Sequence, residues 1–375
     1  IHLIIMNNFK TSTKKDLETF ILDNHFKKIF ILAGNQSFHL SGLKEFFSRG
    51  FNNKELKFYF KKANFPEYLE LIDIISKIKT FSPDLIIAAG GGSVLDYAKI
   101  ANVIDYEDDL TGKIVNSTYK INTPKAKLLA IPTTAGSGAE VTSNAVIYIN
   151  KTKYSIEDEK IKPDFFFLIS DFIKGASNKI KSSAGFDAIA QSIESLVSKK
   201  SNPESVKYAT KSLSISLDYF LKFLKNPNDE NTCAMAFAAN LSGKAINISK
   251  TTAPHAVSYP FTSSFNISHG HAVSLTLNQF MRYNYKNQHH AECDFNLKDR
   301  FDILFDATKT KSIDEFNNYM ENLKKNAGLE SDYTKLGIDI EKFIPRLLQE
   351  TNDQRLKNNP VKISKELIKL LVLNK

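Results

Sequence analysis

Leu85-Ile-Ile-Ala-Ala-Gly90-Gly-Gly-Ser93-Val-Leu-Asp96-Tyr-Ala-Lys99 decides how the first half of this chain is read. A short apolar run stops at three glycines and passes directly into a helical pattern. A strand that ends in glycine and opens a helix is the repeating unit of a parallel α/β sheet. The context also suits an anion. Glycines let the backbone approach a phosphate, and a helix N-terminus offers free N–H groups and the positive end of its dipole. The loop is not Gly-x-Gly-x-x-Gly, so the usual dinucleotide fingerprint does not apply. We assign Gly90, Gly91, Gly92, Ser93 and Asp96 to a phosphate-binding site, with Ser93 as the helix N-cap. The competing reading is a plain glycine turn between strand and helix.

Working outward, Lys28–Ala33 ending at Gly34, Lys57–Phe60, and Lys127–Ile131 stopped by Pro132 read as further buried strands. Helical stretches separate them, which implies βαβ units and a mostly parallel sheet. Val146–Ile149 and Phe165–Ile169 follow as later strands, joined through the polar segment Lys151–Asp158. Beyond about residue 173 apolar residues recur at helical spacing, as at Ala188, Ile189, Ile193 and Leu196, and Ser201-Asn-Pro203 and Lys225-Asn-Pro-Asn228 punctuate the pattern. The expected organisation is an α/β domain over 1–172 and an all-α domain over 173–375, with a polar loop from Asn284 to Arg300.

A chain of 375 residues that is 42% hydrophobic suits two soluble domains. It holds no run of eighteen apolar residues, so no membrane partner is expected. The opening Ile1–Met6 lacks a basic stretch and a cleavage site, and is not read as a signal peptide. Cys233 and Cys293 make no disulfide framework, which points to the cytoplasm. The net charge of +9 comes from dispersed lysines without a recognition motif, so nucleic acid is not expected as a partner.

Asn247-Ile-Ser-Lys-Thr-Thr-Ala-Pro-His255 and Ser268-His269-Gly270-His271 carry the second concentration of chemistry. Asp187 and Gln191 stand one helical turn apart on one face. With His255 and His269 they make four metal-binding side chains on three segments. Either histidine alone would read as structural. Ser249, Lys250, Thr251 and Thr252 form a run able to hold an anionic oxygen group, although Lys250 also reads as a solvated surface lysine. His271 suits a proton shuttle or a non-catalytic role equally, and Glu194 reads as a structural partner. In the loop Pro132–Glu140, Thr133, Thr134 and Ser137 could line a nucleotide, or simply form a turn.

Gly90-Gly-Gly-Ser93-x-x-Asp96-x-Ala-Lys99, Pro132-Thr-Thr-Ala-Gly-Ser-Gly-Ala-Glu140, Gly185-Phe-Asp187-Ala-Ile-Ala-Gln191 and the histidine pair together resemble the iron-dependent, group III alcohol dehydrogenases, with their dehydroquinate synthase-like fold. The resemblance covers most of the chain. It implies an α/β domain for NAD(P), a helical domain for a divalent metal, and dimers or larger homo-oligomers. It implies metal ligands at Asp187, Gln191, His255 and His269, with Fe²⁺ foremost and Zn²⁺ as the alternative. The family usually has His where this chain has Gln191, and many members have another histidine where Tyr259 stands. Ala245–Pro260 with Gln191 is similar to the phosphonoacetaldehyde reductase subgroup. That implies a small anionic aldehyde as substrate, reduced to 2-hydroxyethylphosphonate. A general short-chain alcohol dehydrogenase, the lyase of the same fold and a metal-free descendant are the alternatives. The first strand ends Ala33-Gly34-Asn35-Gln36-Ser37 with no acid for a ribose 2′-hydroxyl. Gly34, Asn35 and Ser37 therefore leave room for a 2′-phosphate, favouring NADPH over NADH.

Overall fold

The computed structural model describes residues 5–6, 9–51 and 53–373. Of the opening Ile1–Met6, the first four residues lie outside that range. The chain forms two compact units. The first runs to Ser177 and takes in 227–240; the second comprises 178–226 and 241–375. Within the first unit the returning segment packs Phe237 on Phe9, centroids 6.1 Å apart, and Asn240 Nδ2 donates to Glu140 Oε1 at 2.9 Å. Helical periodicity reports that a segment has a buried face, not which neighbour covers it.

Five strands of the first unit make one parallel sheet: β1 (Lys28–Gly34), β2 (Glu55–Lys61), β3 (Leu85–Gly90), β4 (Lys127–Pro132) and β7 (Phe165–Phe166), in the order β2-β1-β3-β4-β7. Ile31 pairs with Ile87, and Ile87 with Leu129. Two apolar layers sandwich the sheet, one gathered around Phe30, Leu32, Ile86 and Ala88, the other around Ile29, Ile31, Ile87 and Leu129. Burial on both faces is why these strands read as continuous rather than alternating apolar runs. Helices α1 (Tyr68–Phe81) and α2 (Gly92–Val103) cover the first layer.

Two expectations change. Only Phe165–Phe166 of the run 165–169 is strand. The polar segment after Ile149 is no linker: Thr152–Glu157 is strand β6, paired antiparallel with β5 (Asn144–Ile149). Asn150 and Lys151, at φ +48° and +67°, make the tight turn between them. Strand β6 is mostly half-buried, so polar residues conceal it from an apolar count.

The second unit is helical. Its main elements are α3 (Asn178–Val197), α4 (Pro203–Lys225), α5 (Asp229–Ser249, whose last nine residues belong here), α6 (Ala253–Phe265), α7 (His269–Ser274), α8 (Leu277–Lys286), α9 (Leu297–Thr308), α10 (Ile313–Asn326), α11 (Ile340–Glu350), α12 (Asp353–Leu356) and α13 (Lys365–Leu373). The end of α8, a 3₁₀ turn at Gln288–His290 and the start of α9 occupy much of the expected loop 284–300. The predicted break at Ser201–Pro203 is a helix start: Asn202 caps α4 and Pro203 opens it. Helix α3 is buried along nearly its whole length from Lys181, which makes it the central member of the unit. Helix α7 lies so close to it that a Cβ on Gly270 would fall 2.0 Å from the Ser183 carbonyl oxygen and 2.8 Å from Asp187 Cβ.

Candidate functional site

In the first unit the two small-residue loops meet. Thr133 N donates to the Gly90 carbonyl at 3.0 Å, and a Cβ on Gly92 would lie 2.9 Å from Ser137 Oγ. One on Gly91 would touch Thr134 at 3.6 Å. Gly90 itself packs against Val94, where a Cβ would sit 2.6 Å from Val94 Cγ2. The N-cap of α2 is Gly91, not Ser93, and no side chain caps the helix. Val94 N turns back to the Gly91 carbonyl at 2.9 Å, which leaves the Gly92 and Ser93 N–H groups for another acceptor, the arrangement an anion requires. Thr133 Oγ1 is buried and has no hydrogen-bond partner, a second sign of an accommodating site. Burial raises the Asp96 carboxyl to about 6 against the opposing pull of Lys99 and Lys153. Lys99 is fully buried beneath the loop and donates to Thr142 Oγ1 at 2.8 Å and Asn144 O at 3.1 Å. At the end of β1, Asn35 is exposed and opens a short helix, while Ser37 Oγ donates to Gly34 O at 3.1 Å.

In the second unit α3, α6 and α7 bring Asp187, His255 and His269 together, with one ligand atom from each within 4.8 Å of the others. Gln191 joins them one turn along α3: its Nε2 donates to Asp187 Oδ2 at 3.1 Å, and its Oε1 accepts from Ser242 Oγ at 2.9 Å. His255 Nε2 is buried 3.3 Å from Asp187 Oδ1 and makes no hydrogen bond of good geometry. Its Nδ1 is held by the Glu194 carboxylate in a very short contact. Burial alone would lower the imidazole pKa, but Glu194 and Asp187 on its two sides outweigh that and lift it to about 9.

Glu194 is thus a structural partner, and the group it serves is His255. Fully buried, it also accepts from Thr252 N and Thr252 Oγ1, both at 2.9 Å, and from His255 N at 3.3 Å. It orients His255 so that Nε2 faces Asp187, the carboxylate–histidine arrangement that second-layer groups provide in metal sites. A buried carboxylate, two imidazoles and an amide, with one ring nitrogen lacking a good partner, form a donor set that fits a divalent cation.

The run Ser249–Thr252 is not a cradle of hydroxyls. Thr252 is spent on Glu194, and Ser249 Oγ on Ser195 Oγ at 2.8 Å and Ala245 O at 3.1 Å. Both side chains are fully buried, and Thr251 nearly so. Lys250 alone is half-buried, in a left-handed backbone conformation at φ +58°. His271 follows Gly270 on α7 but points its Nε2 at the Glu330 carbonyl oxygen, 2.7 Å away. Tyr259 stacks on His269 with centroids 5.6 Å apart, and burial pushes its phenol up to about 12. Its partner Arg355, on α12, carried no motif in the sequence.

Comparison with known proteins matches this architecture. The chain is 28% identical over 218 residues to a phosphonoacetaldehyde reductase of Streptomyces viridochromogenes, covering 56% of this chain and 55% of that protein. The matched stretch thus spans about half the length of that relative. It is 27% identical over 306 residues to a 4-hydroxybutyrate dehydrogenase of Clostridium kluyveri, covering 78% and 79%. The fold is that of a sulfoacetaldehyde reductase from Bifidobacterium kashiwanohense solved with NAD⁺, at a TM-score of 0.83 and 22% identity over 97% and 95% of the two chains. Residues 8–170 match the family model for iron-containing alcohol dehydrogenase, and residues 181–374 that for the C-terminal part of the same family. With the glycine loops in one matched half and the Asp187–His255–His269 cluster in the other, the chain belongs to the iron-containing alcohol dehydrogenase family.

Proposed function

We propose that this protein is an NADPH-dependent, metal-assisted aldehyde reductase that converts phosphonoacetaldehyde to 2-hydroxyethylphosphonate. The observation that carries the reading is the Asp187–His255–His269 cluster, with Asp187 and His255 buried and His269 half-buried; Lys250 directly follows the end of α5. Asp187, His255 and His269 would hold the cation, with Gln191 as the fourth donor. The Gln191 amide now offers Asp187 its nitrogen, and a half-turn would offer oxygen instead; the Ser242 hydroxyl can serve either end. In the first unit, Gly90–Ser93 would carry the pyrophosphate, Thr133, Thr134 and Ser137 would line the adjoining pocket, and Asn35 and Ser37 would meet a 2′-phosphate. When bound, the cation supplies Lewis acidity to a carbonyl and the dinucleotide supplies a hydride.

The chain's own residues do the rest. Glu194 keeps His255 Nε2 directed inward. Tyr259 stacks over one face of His269. The ammonium of Lys250 attracts the anionic end of the substrate and so orients the aldehyde. With His271 Nε2 committed to Glu330 O, we assign the final proton to water. The three relatives named above act, by their names, on a phosphonate, a carboxylate and a sulfonate, which supports an anionic aldehyde here.

The test is NADPH consumption by protein reconstituted anaerobically with Fe²⁺, comparing phosphonoacetaldehyde with propionaldehyde. The expected outcome is a kcat/KM at least ~100-fold higher for the phosphonate, the size of one to two charge-assisted contacts. Equal efficiencies would leave a general short-chain alcohol dehydrogenase as the better reading.

A further inference from the structure

Resting on that reading, we infer that Arg355 is the residue that recognises the substrate's anion, with Lys250 as its second cation. Arg355 is 8% exposed, and its guanidinium donates a hydrogen bond to the Tyr259 phenol. Tyr259 in turn lies on the His269 ring. One aromatic side chain therefore separates this cation from a residue of the metal cluster.

The backbone fixes that position from two directions. Asn352 caps α12, its Oδ1 accepting from Arg355 N at 2.8 Å, and Asn352 N donates to the carbonyl of Ala256, the residue after His255, at 3.2 Å. Three residues beyond Arg355, Asn358 Nδ2 donates to Ser249 O and to Thr251 O, each at 2.9 Å. Those are the carbonyls on either side of Lys250. The same short segment thus carries Arg355 and holds Lys250 in its left-handed conformation.

Glycine is the residue such a backbone favours, so a lysine there contributes its ammonium and not the turn. Two cations of different kind suit one dianion. The planar guanidinium offers paired N–H donors to two oxygens of a phosphonate, and the flexible ammonium follows the third. The hydroxyls first assigned to this task, Ser249 and Thr252, are already engaged. The ligand class is a short aldehyde ending in an oxyanion, with its length set by the distance from this pair to the metal cluster.

The test uses the Fe²⁺-loaded protein and three variants: Arg355→Met, which keeps much of the volume; Arg355→Lys, which keeps the charge but not the fork; and Lys250→Gly, which keeps the backbone conformation. Kinetics are measured on phosphonoacetaldehyde and propionaldehyde, and methylphosphonate binding is measured by calorimetry. For Arg355→Met we expect a loss of roughly 100-fold in kcat/KM on phosphonoacetaldehyde, mainly through KM, against less than about tenfold on propionaldehyde, together with loss of methylphosphonate binding. Arg355→Lys should recover part of the loss, and Lys250→Gly should show a smaller one. If Arg355→Met melts like the wild type and keeps the full preference for the phosphonate, the inference is overturned. Equal losses on both aldehydes also overturn it, because they mark a merely structural arginine. A wild type that binds methylphosphonate through Arg355 yet reduces both aldehydes equally would refute the proposed function and leave the anion site standing.

Discussion

The glycine loops of the first unit and the histidine cluster of the second are built on opposite plans. The first is made of consecutive residues and works through backbone: uncapped N–H groups after Gly91, and glycines where a strand, a helix and a second loop touch. The second is made of single side chains from α3, α6 and α7, aligned by a buried carboxylate and by helices in near contact. A backbone site tolerates change in its surroundings but not in its own residues. A side-chain site depends on groups that never touch the ligand.

The strongest challenge to that contrast is Gly270→Ala. Its new Cβ would meet backbone at 2.0 Å, so α7 must leave α3. We expect a destabilisation of about 3 kcal/mol or more in denaturant unfolding, with loss of bound metal. Full metal retention would show that the cluster does not depend on this helix approach.

Glu194→Gln is the next largest. The amide keeps the shape but exchanges a charged acceptor of several hydrogen bonds for a neutral group. A loss of about 2–3 kcal/mol and a 10–100-fold weaker metal affinity are expected, measured by melting and by chelator competition. Unchanged affinity would mean that His255 is aligned by helix packing alone.

Gly90→Ala tests the other plan. The Cβ would press on Val94 at 2.6 Å, and we expect about 1–2 kcal/mol of strain and roughly tenfold weaker NADPH binding. Adding Val94→Ala should restore stability; if it also restores the affinity, Gly90 serves packing and not the approach of phosphate.

Asp96→Asn should have the smallest effect, visible through pH. The folded carboxyl titrates near 6, above its unfolded value of about 4, so the folded protein binds the proton more tightly. That contribution is most favourable below pH ~4 and is lost as pH rises through about 6. A two-unit shift is worth at most about 2.7 kcal/mol, and solvent screening at this half-buried side chain reduces it, so the variant should gain about 1 kcal/mol over the wild type across this window and hold it at neutral pH, as read from paired melting curves. No pH dependence in the difference would mean that Lys99 fully compensates the burial.

What was legible in the sequence follows the same division. Strand, glycine turn and helix at 85–103 could be read directly, because each depends on neighbours in the chain. The metal-binding types at Asp187, His255 and His269 were legible as types, through spacing and family resemblance. Only the tertiary structure decided what else surrounds them. It named His255 as the group that Glu194 partners, and drew Ser249 and Thr252 inward. It returned 227–240 to the first unit and brought Arg355 to Tyr259. The physical reason is one of range. Backbone conformation and helix starts are set within a few residues, whereas the partner of a buried polar group is chosen by packing across dozens or hundreds of positions, and the identity of that group alone does not name it.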